Sequence, residues 1–129
     1  MRVVLTAAAF ALASPAFAAD PAGLLSGYQA EARKADAAFS ASAARGAQFF
    51  GERHGGEWSC ASCHGAPPSA QGKHAKTGKA IAPLAPTANA ERFTDAAKVE
   101  KWFKRNCNDV LARACTPSEK ADVLAYLLK

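Results

Sequence analysis

The chain has 129 residues, four cysteines, a single methionine and a formal net charge of +5. That length holds one small domain, and a domain of this size buries only a modest core unless something reinforces it. The positive balance is mild and no basic run alternates with aromatics, so nothing argues for nucleic acid; the charge suits plain solubility or docking on an acidic redox partner.

The first residues predict an export signal. Met1 and Arg2 form a short basic start, Val3 to Ala13 an apolar stretch, and Ser14-Pro15 a break before Ala16-Phe17-Ala18, so cleavage is expected after Ala18. The expected organisation is a signal peptide at 1–18 and one domain at 19–129. A stretch of 11 residues falls short of the ~20 that span a bilayer, and no later segment is long or apolar enough, so no membrane span is expected in the mature form. Removing Arg2 leaves 15 basic and 11 acidic side chains, a net charge of +4, and takes away Met1, the only methionine. The mature chain is expected to be exported.

From Asp20 to about Ala44 the sequence is rich in alanine and small polar residues, with Leu24, Leu25, Tyr28 and Phe39 as sparse apolar points, which predicts one or two exposed helices. A helix from about Ala41 to Glu52 follows, in which Gly46 would let another helix approach closely. Gly51 to Gly56 ends it. Between Gly65 and Asn89, Pro67, Pro68, Pro83 and Pro86 predict a long irregular segment that wraps something. Thr94 is read as the N-cap of a helix from Asp95 to about Leu111, with apolar residues at Val99, Trp102, Phe103 and Val110. Thr116-Pro117-Ser118-Glu119 is a capping box with proline at the first helical position, opening a last helix with Val123, Leu124, Leu127 and Leu128 on its apolar face. No strand pattern of useful length occurs, so the expected class is all-α.

Cys60-Ala61-Ser62-Cys63-His64 has the spacing of covalent haem attachment: two thiols add across the haem vinyl groups, and the adjacent histidine is carried to the iron. A dithiol redox pair would want a βαβ context, and a zinc site a second close ligand pair, but the other cysteines lie more than forty residues on with a C-x7-C spacing. One haem c, bonded through Cys60 and Cys63 with His64 as proximal ligand, is therefore expected. Cys107 and Cys115 are the pair left over in an oxidising compartment, where a disulfide is the default. Closing so short a loop adds ~2–3 kcal/mol in the chain-entropy account.

With methionine gone, the other axial position is open to His54, His74, a lysine, an asparagine or water. At 100° per residue, Asn106 lies about 20° from Val99, between Trp102 and Phe103, whereas Asn108 points about 180° away. An amide on an apolar face must find a partner or cost on the order of 1–3 kcal/mol. Iron is one such partner; a backbone group is the other.

Several motifs in one order carry a family resemblance: Thr77-Gly78-Lys79, Ile81-Ala82-Pro83-Leu84-Ala85-Pro86, Arg92-Phe93-Thr94-Asp95, Val99-Glu100-Lys101-Trp102, Arg105-Asn106-Cys107-Asn108 and Cys115-Thr116-Pro117-Ser118-Glu119-Lys120-Ala121-Asp122. The match, dense from Thr77 to Leu127 and thinner from Arg45 to His64, resembles the sphaeroides haem protein and cytochrome c'' family. The resemblance implies a periplasmic location and a small class I-like cytochrome c fold with an extra N-terminal helix, one covalent haem and one disulfide. It also implies a distal ligand, directly before the first disulfide cysteine, that leaves the iron on reduction. Here that residue is Asn106. Ala80 stands where the family has an acidic residue, and His74 stands where a histidine is not expected, so His74 stays open as a rival ligand.

On this reading Asn106 binds ferric iron, because a neutral amide is a weak, hard donor, and lets go of ferrous iron. The open ferrous site would then take O2, NO or CO in a pocket shaped by Trp102 and Phe103. The expected role is electron transfer with gas binding. The alternatives are a haem enzyme acting on a small gas, for example by nitric oxide dioxygenation, and a plain bis-histidine carrier. A dihaem cytochrome c and a membrane b-type cytochrome are the redox partners that the resemblance implies.

Overall fold

The computed structural model describes residues 19–129; the expected signal at 1–18 lies outside the described residues. Helix α1 spans Pro21–Arg33. The Asp20 carboxylate accepts from the Gly23 N–H at 2.8 Å and proline occupies the first turn, two signals that start a helix here. Its one buried residue is Ala32, in keeping with the sparse apolar pattern. Helix α2 spans Ala43–Gly51, shorter than the expected Ala41 to Glu52, because Ser42 is extended and its hydroxyl accepts from the Arg45 N–H at the helix start.

The last helix, α5 (Pro117–Leu127), is the one on which α1 and α2 both pack. It buries Ala121, Asp122, Val123, Leu124 and Leu127, so it is covered on more than one side. Each large apolar side chain buried there is worth roughly 1.5–3 kcal/mol. The expected capping box is present: Glu119 N–H donates to the Thr116 hydroxyl at 3.2 Å, and Thr116 N–H to the Glu119 carboxylate at 2.8 Å. Gly46 supplies the close approach of α2. A Cβ at this position would lie 1.9 Å from the Asp122 carbonyl oxygen, so only glycine fits the crossing. The buried Asp122 carboxylate accepts from Ser42 N–H at 2.7 Å and from Arg45 Nε and Nη2 at 2.7 and 2.8 Å, which ties α5 to the start of α2. A buried charge satisfied in this way also fixes how the two helices meet.

The second half adds a short strand pair to the expected helices and moves one expected cap. The segment after Gly65 is mainly turns, but it contains an antiparallel pair, β1 (Gly72–Lys73) and β2 (Ala80–Ile81), with Gly72 opposite Ile81 and Lys73 opposite Ala80. Two-residue strands are too short to leave an alternating pattern, and the domain keeps its expected helical class. Helix α4 spans Ala96–Leu111, and its N-cap is Asp95, whose carboxylate accepts from Lys98 N–H at 2.9 Å. Thr94, the expected cap, instead donates its hydroxyl to the Glu91 carbonyl at 2.9 Å. Cys107 and Cys115 form the expected disulfide, joining the last turns of α4 to the residue before the α5 cap.

Helix α4 is held to the rest mostly by side chains. The Tyr28 hydroxyl donates to Glu100 at 2.5 Å, Lys120 donates to the same carboxylate at 2.8 Å, and the Tyr28 and Phe103 rings meet edge to face at 5.7 Å. Burial works against ionisation of Glu100, but the hydrogen bonds from Lys120 and Tyr28 outweigh it and hold its carboxyl below the usual range.

Candidate functional site

Five residues, Cys60–His64, form helix α3, far too few to be helical without help. The help is a reciprocal cap: the Ser59 hydroxyl accepts from Ser62 N–H at 3.2 Å, and Ser59 N–H donates to the Ser62 hydroxyl at 2.9 Å. Gly65, at φ 73°, ends the helix in a conformation that favours glycine. Residues three and four apart share a helix face, so Cys60, Cys63 and His64 are presented together by one turn.

The Cys60 thiol sits in an apolar setting. Cys60 packs against the cluster of Phe50, Val123 and Leu127, along with Ala61, Leu84 and Phe93. Burial pushes the Cys60 thiol up to about 11, the opposite of the lowered value that marks a dithiol redox catalyst. Among the described residues no group of three or more His, Cys, Asp or Glu is placed to hold a metal ion by itself.

His64 is mostly buried, with the Phe50 ring 6.2 Å away. Burial, with smaller contributions from the Arg92 charge and from His74, pushes its imidazole down to about 4, so it is neutral near pH 7. Neutral imidazole is the form that binds a metal. Its Nδ1 is buried with no hydrogen-bond partner, the one such side-chain atom among the described residues. Two thiols on one helical turn, beside a neutral and under-satisfied imidazole in an apolar setting, fit the donor set of a c-type haem.

The irregular segment packs closely on this turn. A Cβ on Gly72 would lie 2.3 Å from the Cys63 carbonyl oxygen and 2.8 Å from His64 Cα, so β1 touches the α3 backbone directly. Ala75 N–H donates to Cys63 Sγ at 3.3 Å. Leu84 and Ala85 N–H both donate to the Pro68 carbonyl, at 2.9 and 3.0 Å. Arg92 closes the segment, donating to the Pro83 and Ala82 carbonyls at 2.8 and 2.6 Å. Gly72 and Arg92 carried no signal in local periodicity, because each matters through a contact made across the fold.

On α4 the candidate distal residues face different surroundings. Asn106 is half-buried, immediately before the disulfide cysteine Cys107. Phe103 is half-buried and packs towards Tyr28 and the core cluster. Trp102, expected on the apolar face, is 43% exposed, and Arg105 lies over its ring at 5.5 Å.

The two rival histidines are engaged elsewhere. The His54 Nε2 lies 2.8 Å from the Phe49 carbonyl, and its ring meets that of Phe49 at a tilt of 47°, centroids 4.3 Å apart. His74 Nδ1 accepts from Thr77 N–H at 3.2 Å, a bond that ties this ring to its own turn.

A mostly helical fold, a disulfide-tied helix and a thiol-thiol-imidazole turn define the class as a c-type cytochrome. A family described as "Domain of unknown function (DUF1924)" matches residues 36–127. The cytochrome c-type protein SHP of Cereibacter sphaeroides is 52% identical over 122 residues, covering 90% of each chain. Cytochrome c'' of Methylophilus methylotrophus is 55% identical over 74 residues, 57% of this chain and 51% of that protein. The structure of oxidised SHP, an oxygen-binding cytochrome c, superposes with a TM-score of 0.73 at 47% identity, covering 86% of this chain and 97% of that one. That of oxidised cytochrome c'' gives 0.76 at 43%, covering 84% and 93%. The chain belongs to the family of SHP and cytochrome c''.

Proposed function

We propose that this is an exported electron-transfer cytochrome, with 1–18 as its signal peptide, that holds one haem through Cys60 and Cys63 and exchanges a distal ligand with its redox state. When bound, the haem supplies a one-electron couple and, in the ferrous state, a place for a diatomic gas. His64 would hold the iron through its imidazole, and α3, pinned by its cap and by Gly72, keeps that ring in place. Asn106 would hold the oxidised iron through its neutral amide, a weak and hard donor that suits Fe(III) better than Fe(II), and would let go of the reduced form. Glu100, Tyr28 and Lys120 anchor the middle of α4, and the Cys107–Cys115 bond anchors its end.

The observation that carries the choice of Asn106 is the local engagement of the alternatives: one ring nitrogen each of His54 and His74 is held in a bond to nearby backbone. Two relatives support the rest. SHP is described as oxygen-binding, and a solution structure of cytochrome c'' addresses haem-ligand detachment; it aligns at 43% identity with a TM-score of 0.76. The test is the ferric absorption and electron paramagnetic resonance spectrum of Asn106→Ala beside those of His74→Ala and His54→Ala. Loss of the low-spin ferric signal in Asn106→Ala alone is expected, with CO binding by ferrous wild type. A low-spin signal that survives in Asn106→Ala and vanishes in His74→Ala overturns the assignment.

A further inference from the structure

From Trp58 to Ala90 the chain contains three lysines, Lys73, Lys76 and Lys79, and no carboxylate. All three are exposed. The ion pairs of the described residues lie elsewhere, joining Lys34 to Glu31, Arg45 to Asp122, Arg113 to Glu119 and Lys120 to Glu100. The lysines sit on the β1–β2 hairpin, whose turn is closed by backbone bonds from His74 N–H to Lys79 O and from Gly78 N–H to His74 O, both 2.8 Å.

This hairpin is fastened to the attachment turn at three points. Gly72 lies against the backbone of Cys63 and His64, and Ala75 N–H donates to Cys63 Sγ. The Lys76 ammonium sits 5.4 Å over the ring of Trp58, two residues before Cys60. A group bonded to Cys63 is therefore beside the hairpin, and three unpaired positive charges are held next to it. Like charges kept together without an internal partner repel one another, and an anionic face brought against them relieves that repulsion while steering encounter.

We propose that Lys73, Lys76 and Lys79 form the docking surface for the acidic face of an electron-transfer protein, which passes one electron to or from a haem attached at Cys63. The inference rests on reading Cys60, Cys63 and His64 as a haem-attachment site. One electron leaves the donor and one iron is reduced, so no further reactant is needed. A membrane surface is the less favoured anionic partner, because the hairpin is not an amphipathic helix with an apolar face to insert.

The test uses the holoprotein. Ferrous protein is oxidised in a stopped-flow instrument by anionic ferricyanide, which takes one electron to give ferrocyanide, and separately by cationic tris(phenanthroline)cobalt(III). Wild type is compared with the triple variant Lys73→Glu, Lys76→Glu, Lys79→Glu. A second triple variant, Lys98→Glu, Lys101→Glu, Lys104→Glu, makes the same change in net charge on the exposed side of α4. The hairpin variant is expected to lose roughly tenfold in the ferricyanide rate at low salt and to gain with the cobalt complex, both differences shrinking as salt screens the charges. The α4 variant should change each rate less than about twofold. Polyglutamate should inhibit the wild-type ferricyanide reaction and leave the hairpin variant unaffected. Equal effects of the two variants, or no polyglutamate inhibition, overturn the proposal. So does sedimentation of wild type, but not the hairpin variant, with phosphatidylglycerol vesicles. An absent covalent haem band in wild type would instead mark failure of the attachment reading, before any rate is compared.

Discussion

Replacing Gly46 with alanine tests how the α2–α5 crossing supports the site. The added Cβ would stand 1.9 Å from the Asp122 carbonyl oxygen and 3.0 Å from Tyr126 Cβ, whereas ordinary van der Waals contact begins near 3.4 Å. The obstacle is backbone, so it cannot swing aside, and the helices must part by about 1.5 Å at this point. Parting them stretches the three hydrogen bonds that satisfy the buried Asp122 carboxylate. Alanine gains ~1 kcal/mol in helix propensity over glycine. Against that stand ~1–3 kcal/mol or more of overpacking and a further ~1–3 kcal/mol for weakened bonds to a buried charge. The expected net loss is about 1–5 kcal/mol, read as a lower midpoint with an unchanged slope in urea unfolding followed by circular dichroism and haem absorption. Phe50, whose ring lies 5.6 Å from that of Tyr126 and 6.2 Å from that of His64, would carry the shift towards the attachment turn. A Gly46→Ala protein within ~0.5 kcal/mol of wild type would refute the reasoning, since surface substitutions reach that size without any crossing to disturb.

Three further outcomes are expected. The Arg113 hydrogen bonds hold the Glu119 carboxyl below its ordinary value of 4.5, with burial opposing and the Thr116 backbone N–H assisting. The stability it adds is therefore present in full above that ordinary value and is lost as pH falls through the lower folded value. Glu119→Gln keeps an acceptor for the Thr116 N–H and removes the charge that Arg113 pairs with, so a small loss of stability is expected at pH 7, and the gap to wild type should close in acid titration of chemical denaturation curves. Cys115→Ser should lower stability by about 2–3 kcal/mol by freeing the short loop from Cys107, and, if Asn106 is the ferric ligand, should raise the high-spin fraction in the ferric spectrum. Tyr28→Phe removes one of the two hydrogen-bond donors to Glu100, so the Glu100 carboxyl should titrate higher than in wild type when followed by nuclear magnetic resonance.

Elements with local causes were legible before the fold was known. The Thr116–Glu119 box, the proline after it and the apolar spacing of α5 marked that helix to its first residue, because capping and periodicity act within a few residues. Gly46 was readable as a close-approach position, although the partner, the backbone of Asp122, was not. The Thr94 cap was misread by one position, since threonine and aspartate stand side by side and only the backbone geometry chooses between them. The β1–β2 pair was missed because its strands are two residues long. Trp102 was placed on the apolar face by angle alone, but a helix face covers only what the neighbouring helices leave within reach, and this ring stays exposed.

The candidate site divides along the same line. Cys60, Cys63 and His64 were defined by the sequence itself, because three residues on one helical turn meet wherever that turn is placed. Tertiary structure decided what surrounds them: burial that drives His64 to its neutral form, a glycine that lets the hairpin lie on its backbone, and hydrogen bonds that engage His54 and His74. It also set three lysines, spaced along an irregular segment, beside the attachment turn. Those properties depend on contacts between residues far apart in the chain, and spacing carries no record of them.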